Sequence, residues 1–338
     1  MNQHGFEFLR KNKIKNLEIT FPNFTTCFPW VGGDLQTIRN TICLPKGTQL
    51  LKMEKNILFP LQDGGNLIGR DNEPTCDPLN KTIVLLHGMG GHSESFYMVA
   101  AANYFINLGW RVIRLNLRGA GASQKTSVGQ YHAGLSKDLN DIFINGPKEV
   151  LGKGVSIMGF SLGANTLLKY LGEHHDYSSV NKVVAISPPV CLEITQRTIQ
   201  ALRNRPYRKY LLKKLKNDFY NTNWGSYSWG GLNIKLIKTI KDYDDKVIAS
   251  YHGFQSAIDY YEQSSSKNFV KSIENPTLII HAKNDPWIPV SIFRGINWKE
   301  CDKVIPILTE SGGHLGFHTR GHNIPWHLRA ANTFLGSA

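Results

Sequence analysis

Several kinds of segment are absent from this 338-residue sequence, and each absence excludes a class of protein. No apolar run approaches the roughly 20 residues that a helix needs to cross a bilayer. No collagen repeat, heptad array or solenoid period is present, which excludes fibrous and repeat architectures. Residues 1–21 contain basic side chains but no apolar stretch typical of a secretory signal, so no signal peptide is expected.

Cysteine is scarce, and its spacing forms no recognisable framework. There are five cysteines, an odd number, and none is arranged as a CxxC pair. This pattern favours free thiols in a reducing compartment and argues against a cysteine-based metal site. We therefore expect a cytoplasmic location, with possible peripheral contact with a membrane. The cysteines are Cys27, Cys43, Cys76, Cys191 and Cys301.

Acidic residues are also few, since 26 Asp and Glu face 39 Lys and Arg, which leaves a formal net charge of +13. Such a balance is compatible with nucleic acid, an anionic membrane or acidic substrates as partners. No nucleic-acid-binding motif is recognisable, so no nucleic-acid partner is expected. The hydrophobic share of 41% is typical of a globular protein.

From Lys81 onward, short apolar runs alternate with segments of helical periodicity. This alternation predicts an α/β protein in which helices cover both faces of a mostly parallel sheet. Residues 1–55 are rich in Pro, Gly and Asn and are expected to be irregular and to wrap the body. The region of about 192–265 has weaker strand character and several helical patterns, which favours an inserted helical cap. A single domain over 1–338 fits this pattern better than two domains.

The strongest chemical signal is Gly159-Phe160-Ser161-Leu162-Gly163, a G-x-S-x-G between an apolar strand and a helix. Flanking glycines allow a sharp strand-to-helix turn that lifts the serine hydroxyl above the carboxyl end of the sheet. The amino end of the following helix then favours a developing negative charge. Ser161 is therefore the candidate nucleophile; the alternative is a structural turn that merely contains a serine.

A nucleophilic serine needs a base and a carboxylate that orients the base, in the chain order Ser, acid, His. Asp285 follows the apolar strand TLIIHA, and His314 lies in a Gly-rich loop after the next strand. Asp285 could instead cap a turn, and His314 could be an ordinary loop residue. His318 and His281 are the rival bases, although His281 lies within a strand and is better explained as a core or supporting group.

Two backbone amides are expected to form an oxyanion hole. One belongs to Leu162, directly after the nucleophile, and the other to Met89 in the loop HGMGG. Two further polar clusters could order the loops around the site or form a network that supports it. For both, a structural role is at least as well supported as a catalytic one. They are Asn116–Gly119, and Tyr131–Gly134 with Asp138.

The segment Arg197–Lys216 carries many Lys and Arg and no acid. It could rest on an anionic membrane, or it could be the solvated face of a cap helix, which we favour slightly. Trp224, Tyr227 and Trp229 could line an acyl pocket or pack the cap onto the body.

Nine motifs, in order along most of the chain, resemble those of one group of hydrolases. They are GGDLQTI, LLHGMGGH, LNLRGAGAS, YHAGLSKDL, MGFSLGANTLLKYLGE, AISPP, YDDKVIASYHGFQSAIDYYEQSSS, HAKNDPWIP and ESGGHLGF. The chain thus resembles the YheT-like hydrolases, the AB hydrolase-4 group of the α/β-hydrolase superfamily, which includes ABHD-type lipid hydrolases and medium-chain ester synthases. The resemblance implies an α/β-hydrolase fold, a Ser161–Asp285–His314 triad, and carboxylic-ester or lipid-ester substrates.

The leading hypothesis is a serine hydrolase that cleaves esters through an acyl-enzyme on Ser161, without a metal or organic cofactor. The same acyl-enzyme could be transferred to an alcohol, which would make the protein an acyltransferase. A third hypothesis is a low-turnover binding protein on the hydrolase scaffold. The sequence does not separate hydrolysis from transfer, since the difference lies in the access of water and alcohol.

Overall fold

A central sheet of eight strands organises the computed structural model, which describes residues 19–42, 54–74, 78–174 and 179–337. The spatial order of the strands is β1-β2-β4-β3-β5-β6-β7-β8. Their bounds are β1 (Lys55–Pro60), β2 (Asn66–Asn72), β3 (Thr82–Leu86), β4 (Arg111–Asn116), β5 (Val155–Phe160), β6 (Val180–Ile186), β7 (Thr277–Ala282) and β8 (Val304–Thr309).

Strands β3 to β8 are mutually parallel, whereas β1 and β2 form an antiparallel hairpin that extends the sheet beyond β4. The six parallel strands are almost wholly buried, because helices cover both of their faces. These are the six strands that the continuous apolar runs predict. The mostly parallel α/β sheet is confirmed, and the hairpin is an addition that the sequence pattern did not reveal.

Eleven helical segments accompany the sheet in the described part of the chain, besides short 3₁₀ turns and a π-turn at Asp244–Ala249. Their bounds are α1 (Gly33–Ile42), α2 (Phe96–Ile106), α3 (Ser136–Asn145), α4 (Lys148–Leu151), α5 (Leu162–Glu173), α6 (Leu192–Gln200), α7 (Arg205–Asn221), α8 (Ile240–Tyr243), α9 (Ser250–His252), α10 (Ala257–Ser264) and α11 (Trp326–Gly336).

Two hydrophobic cores lie on opposite faces of the sheet. Alternate residues of β3 show this, because Val84 belongs to one core and Ile83 and Leu85 belong to the other. Helices α2 and α11 cover the face with Ile83, while α3, α5, α6, α7, α8 and α10 share the core with Val84. A continuous apolar strand is therefore explained by burial on both sides.

The helices α6 to α10 all lie between β6 and β7, in the region for which a cap was predicted. Helix α6 packs against both α7 and α10. The division of the chain into a body, a wrapping segment and a cap stays a prediction.

The amino-terminal segment differs from the expected irregular structure, because α1 is a regular ten-residue helix. Its sequence GDLQTIRNTI has an acid in the first turn, which suits the helix dipole, and no internal glycine or proline. The glycines and prolines that surround it concealed this helix. Residues 1–18 and 43–53, part of the predicted 1–55 wrapping segment, lie outside the described residues.

Within the described ranges, no helix is long and apolar enough to cross a membrane.

Candidate active site

Ser161 lies at the turn between β5 and α5 in a backbone conformation that side-chain-bearing residues rarely adopt, with φ 50° and ψ −120°. The turn is very tight. A Cβ on Gly163 would come within 2.3 Å of the His87 carbonyl oxygen, and one on Gly159 within 2.7 Å of the Cα of Ala164. The two glycines of the G-x-S-x-G motif are therefore required by close backbone contact, as the sequence predicted in general terms.

The three residues proposed as nucleophile, base and orienting acid form one hydrogen-bonded chain. The Ser161 hydroxyl donates to Nε2 of His314 over 3.0 Å, and Nδ1 of His314 donates to Oδ2 of Asp285 over 2.8 Å. Asp285 and His314 are both buried. A carboxylate on Nδ1 selects the imidazole tautomer whose Nε2 can accept a proton from the serine.

The Asp285 carboxyl is held in its ionised form. Burial raises its pKa, but the neighbouring His314 ring, His281 and the Trp287 amide together lower the pKa below the ordinary value. The other oxygen, Oδ1, accepts hydrogen bonds from the amides of Trp287 at 2.8 Å and Ile288 at 3.0 Å. The Trp287 ring stacks on the His314 ring with the centroids 4.3 Å apart, which fixes the plane of the imidazole.

Helix α1 supports the loop that carries His314. The His314 amide donates to the Thr37 hydroxyl over 2.8 Å, and Thr37 in turn donates to the Gly33 carbonyl. The fully buried Gln36 side chain donates to the carbonyls of Trp30 and His318 and accepts from the His318 amide. The GGDLQTI segment, singled out from the sequence only through its resemblance to a family, thus positions the candidate base.

The loop after β3 is held at both sides of Met89 by tyrosines. The Gly88 amide donates to the Tyr97 hydroxyl over 2.9 Å, and the Gly90 amide donates to the Tyr131 hydroxyl over 2.6 Å. The Met89 and Leu162 residues both line the cavity above Ser161. Leu162 is the first residue of α5, where a backbone amide has no partner within the helix.

His87 connects this loop to the neighbouring strand. Its Nδ1 donates to the Gly88 carbonyl and its Nε2 accepts from the Leu117 amide over 3.1 Å. Complete burial lowers the pKa of His87 to about 4, so the ring stays neutral and keeps this donor and acceptor arrangement at neutral pH. His87, Tyr97 and Tyr131 are positioning residues; the sequence singled out Tyr131 as a candidate support of the site, but not its contact with Gly90.

The two polar clusters noted in the sequence are held by ion pairs, ring contacts and hydrogen bonds. Arg118 forms a two-pronged ion pair with Asp138, with contacts of 2.8 and 2.7 Å, and a third contact with Asp63. His132 lies 4.4 Å from His252, ring to ring, within an aromatic cluster. Asn165 on α5 donates to the carbonyls of Ala133 and Ser264, which ties the helix of the candidate nucleophile to the loops below the cap.

The rival bases do not reach the nucleophile. His281 is buried in β7, and its Nε2 contacts the Ile288 carbonyl. His318 contacts Arg39 through Nδ1. Burial lowers the pKa of His281 to about 4 and, together with Arg39, that of His318 to about 3, so both rings are neutral.

A cavity of about 480 Å³ opens above Ser161 and His314, between the body and the cap. Its walls come from α1, α6, α7, the loop after β3 and the segment after β7, and most of its lining is apolar. Representative apolar residues are Ile38, Leu192, Ile199, Leu211, Ile240 and Ile288. Trp224, Tyr227 and Trp229 are absent from the lining among the described residues; they pack against one another and Tyr251 in the cap.

In the part of the chain that the structure describes, no group of three or more His, Cys, Asp or Glu side chains is placed to hold a metal ion. Cys43 and Cys76 lie outside the described residues, and Cys27, Cys191 and Cys301 are free thiols.

Comparison with known proteins identifies the family. A family model of the alpha/beta hydrolase fold matches residues 81–320. The YheT protein of Escherichia coli K12 is 29% identical over 245 residues, which cover 70% of each chain. The monoacylglycerol lipase of Saccharomyces cerevisiae is 24% identical over 312 residues, covering 86% of this chain and 68% of the lipase. These relatives confirm the resemblance to the YheT-like group.

Among solved structures, the esterase Pf2001 of Pyrococcus furiosus has a TM-score of 0.54 and 17% sequence identity. The match covers 95% of this chain and 98% of the esterase, and supports the fold alone. The family match covers most of the chain and includes both the candidate nucleophile and the candidate base. The chain therefore belongs to the α/β-hydrolase fold family.

Proposed function

We propose that this protein is a serine hydrolase of carboxylic esters, with Ser161 as nucleophile, His314 as general base and acid, and Asp285 as the residue that orients His314. The observation that carries the proposal is the continuous hydrogen-bonded chain from the Ser161 hydroxyl through both nitrogens of His314 to Asp285. A serine in a strained turn with a base in hydrogen-bond contact is the arrangement that nucleophilic catalysis requires.

The reaction proceeds in two halves. Ser161 Oγ attacks the carbonyl carbon of the ester while its proton passes to Nε2 of His314, and the resulting tetrahedral intermediate carries an oxyanion. Its collapse breaks the ester C–O bond, and His314 returns the proton to the departing alcohol. Water then attacks the acyl group on Ser161, gives a proton to His314, and a carboxylic acid leaves as the serine recovers its proton.

The amides of Leu162 and Met89 stabilise the oxyanion in both halves. The hydroxyls of Tyr97 and Tyr131 occupy the amides on either side of Met89, which leaves the Met89 amide as the donor of that loop facing the cavity. Preorganised donors of this kind typically contribute a factor of about 10² to 10³ each to kcat.

The apolar lining of the cavity favours esters with an aliphatic acyl chain. A volume of about 480 Å³ is large enough for a medium-length chain and an alcohol group. The yeast relative is named a monoacylglycerol lipase, which supports lipid esters as the substrate class.

Covalent labelling tests the proposal independently of substrate choice. A fluorophosphonate probe should label the folded protein once per chain, and mass spectrometry of the peptides should locate the label on Ser161. Labelling of another residue, or none, would overturn the assignment. Product analysis with increasing ethanol then distinguishes hydrolysis from alcohol transfer: the proposal predicts mostly free acid, and dominant ethyl ester would favour the transferase.

We also propose that the cap contacts an anionic membrane surface from the cytoplasmic side. Residues 194–241 contain eleven Lys and Arg and a single acid, Asp218. Burial raises the pKa of Asp218 to about 7, which further weakens the only negative charge in this region. Ile42 and Tyr210 both line the cavity and are exposed, so its mouth lies between α1 and α7. Apolar and basic side chains together at the mouth suit an anionic lipid surface.

Vesicle sedimentation tests this contact. Binding should be stronger to vesicles with anionic lipid than to zwitterionic vesicles and should weaken with salt. Exchanging both exposed Lys209 and Lys213 for Glu should reduce binding by about tenfold or more, because each basic residue near the surface contributes about 1 kcal/mol. Exchanging both exposed Lys148 and Lys153 for Glu, in the segment before β5, changes the net charge by the same amount and is the control. Equal effects of both changes would show that net charge alone is responsible.

A further inference from the structure

The cap wall of the cavity contains an acidic side chain where the lining is otherwise mostly apolar. Asp244 lines the same cavity as Ser161 and His314, together with Ile240, Tyr260 and Tyr261. It is 7% exposed. A carboxyl group in such a place is costly unless it is paired or has a function, since burial without a partner removes its hydration.

No cation compensates for Asp244. Among the described residues, no Lys, Arg or His comes within 4.0 Å of its carboxyl oxygens. In the described part of the chain, its one side-chain hydrogen bond comes from the Tyr261 hydroxyl, which donates to Oδ2 over 2.6 Å. Burial, and to a smaller degree Asp245, raise the pKa of Asp244 to about 7. Oδ1 accepts no hydrogen bond from any residue that the structure describes, and it is not one of the fully buried polar atoms. Part of its surface is therefore accessible.

The backbone at this point is also irregular. Asp244 begins a π-turn, Asp244–Ala249, within an otherwise α-helical segment that starts at Ile240. A π-turn widens the helix by one residue, costs stability and occurs often at functional sites, where it redirects a side chain. Here the residue at its start is the acid that faces the cavity.

The neighbouring residue, Asp245, is also acidic, but its carboxylate has a structural role. Asp245 is exposed, and its Oδ1 accepts from the Ala257 amide at the start of α10 over 2.8 Å. Asp245 therefore connects the π-turn to the first residue of α10, whereas Asp244 contacts that helix further along, at Tyr261, on the side of the cavity.

We propose that Asp244, oriented by Tyr261, is a specificity-determining residue that accepts a hydrogen bond from a hydroxyl group of the ester substrate. The cavity would then select esters that carry a free hydroxyl over apolar esters of equal length. This inference rests on the proposed function, because it concerns the substrate of the same Ser161 site. The hydroxyl can belong to the alcohol part of the ester or to its acyl chain, and both would be recognised by the same chemistry.

Matched substrate pairs test the proposal. One pair is a monoacylglycerol and the methyl ester of the same fatty acid; the other is a p-nitrophenyl ester with and without a hydroxyl on the acyl chain. For each pair the ratio of kcat/KM, hydroxylated over plain, is measured with the unmodified protein, Asp244→Leu, Asp244→Asn and Asp245→Asn. The pair whose ratio changes identifies the source of the hydroxyl.

Asp244→Leu should lower the ratio of one pair by at least tenfold while the rate on the plain ester is retained or increased. A buried acceptor that discriminates a hydroxyl typically contributes a factor of this size or larger. Asp244→Asn, which keeps the volume and one oxygen, should lower the same ratio to a smaller extent, and remains a test if Asp244→Leu does not fold. Asp245→Asn should leave both ratios unchanged.

A parallel loss on both members of each pair, or unchanged ratios, would overturn the role of Asp244 and leave the esterase proposal intact. If the unmodified protein hydrolyses none of the four esters, the proposed function itself fails, and with it this inference. Asp245→Asn with the same ratio change as Asp244→Asn would also contradict it.

Discussion

At the scale of single residues, the candidate site depends as much on supporting hydroxyls as on the reacting groups. Tyr131 accepts the Gly90 hydrogen bond at 2.6 Å and is fully enclosed by protein, and burial raises its pKa, so it stays a neutral phenol. It contacts neither Ser161 nor His314 in the described structure. Its contribution is to fix the backbone next to Met89.

Tyr131→Phe therefore tests the oxyanion loop without removing a reacting group. We expect kcat to fall about tenfold to a hundredfold, with KM changing less than threefold, because a displaced donor affects the transition state more than the bound ester. Steady-state kinetics on a soluble ester give both values. Tyr227→Phe removes a tyrosine hydroxyl that donates to the Ser250 carbonyl, outside the cavity lining, and should leave kcat nearly unchanged. Equal losses in the two variants would indicate general destabilisation instead.

The residues assigned to the reaction could be proposed from the sequence, and so could a supporting role for the Tyr131–Gly134 cluster, whereas the contacts that give this support could not. Ser161 follows from a local motif, and Asp285 and His314 follow from chain order and from their place after two strands. Tyr131 is 41 positions from Gly90, and nothing in the composition of either segment indicates that they touch. Contacts of that kind depend on the packing of the whole sheet.

At the scale of helices and strands, α1 is the element whose role is easiest to overlook. It is distant from His314 in the chain, yet it supplies the hydroxyl that accepts the His314 amide. The fit is close, since a Cβ on Gly33 would lie 1.9 Å from the Asn284 carbonyl oxygen. The helix therefore acts as a brace for the loop between β8 and α11.

Thr37→Val keeps the shape of the side chain and removes this acceptor. We expect kcat/KM to fall roughly tenfold, because small displacements of a catalytic base are costly. Thr37→Ser retains the hydroxyl and should restore most of the activity. Activity of Thr37→Val equal to that of the unmodified protein would show that α1 does not position His314.

The sequence predicts some of the strands and not others. The six parallel strands are buried on both faces and read as continuous apolar runs. β1 is exposed at most positions, and β2 contains Gly69, Arg70 and Asp71, so neither has such a run. The pairing of β2 with β4 buries Asp71, which forms an ion pair with Arg111 that no local pattern reveals.

At the scale of the whole molecule, many neutral histidines are enclosed in the fold. Burial lowers the pKa of His87, His252 and His281 to about 4 and that of His318 and His327 to about 3, with Arg39 and His327 contributing at His318. In the unfolded chain these rings bind protons near pH 6.5. Between pH 6.5 and 4 the unfolded state therefore takes up protons that the folded state does not.

The free energy of unfolding should consequently fall as the pH drops below about 6.5. Asp218 and Asp244 act in the opposite direction, because burial raises their pKa values to about 7 and the folded state holds their protons over the same range. Five histidines outweigh two carboxyls, so we expect Tm to decrease by roughly several degrees per pH unit from pH 6.5 to pH 5. Thermal unfolding at constant ionic strength measures this. A Tm that rises towards pH 5 would contradict the neutral, buried state of these histidines.

Hydrolysis of p-nitrophenyl esters of increasing acyl length by the unmodified protein and by Ser161→Ala measures directly whether Ser161 attacks the ester. We expect activity on at least one chain length and a loss of about 10⁴-fold or more in kcat for Ser161→Ala. Ser156→Ala, a buried serine at the other end of β5, should keep nearly full activity. Equal activity in Ser161→Ala and the unmodified protein would contradict the assignment of the nucleophile.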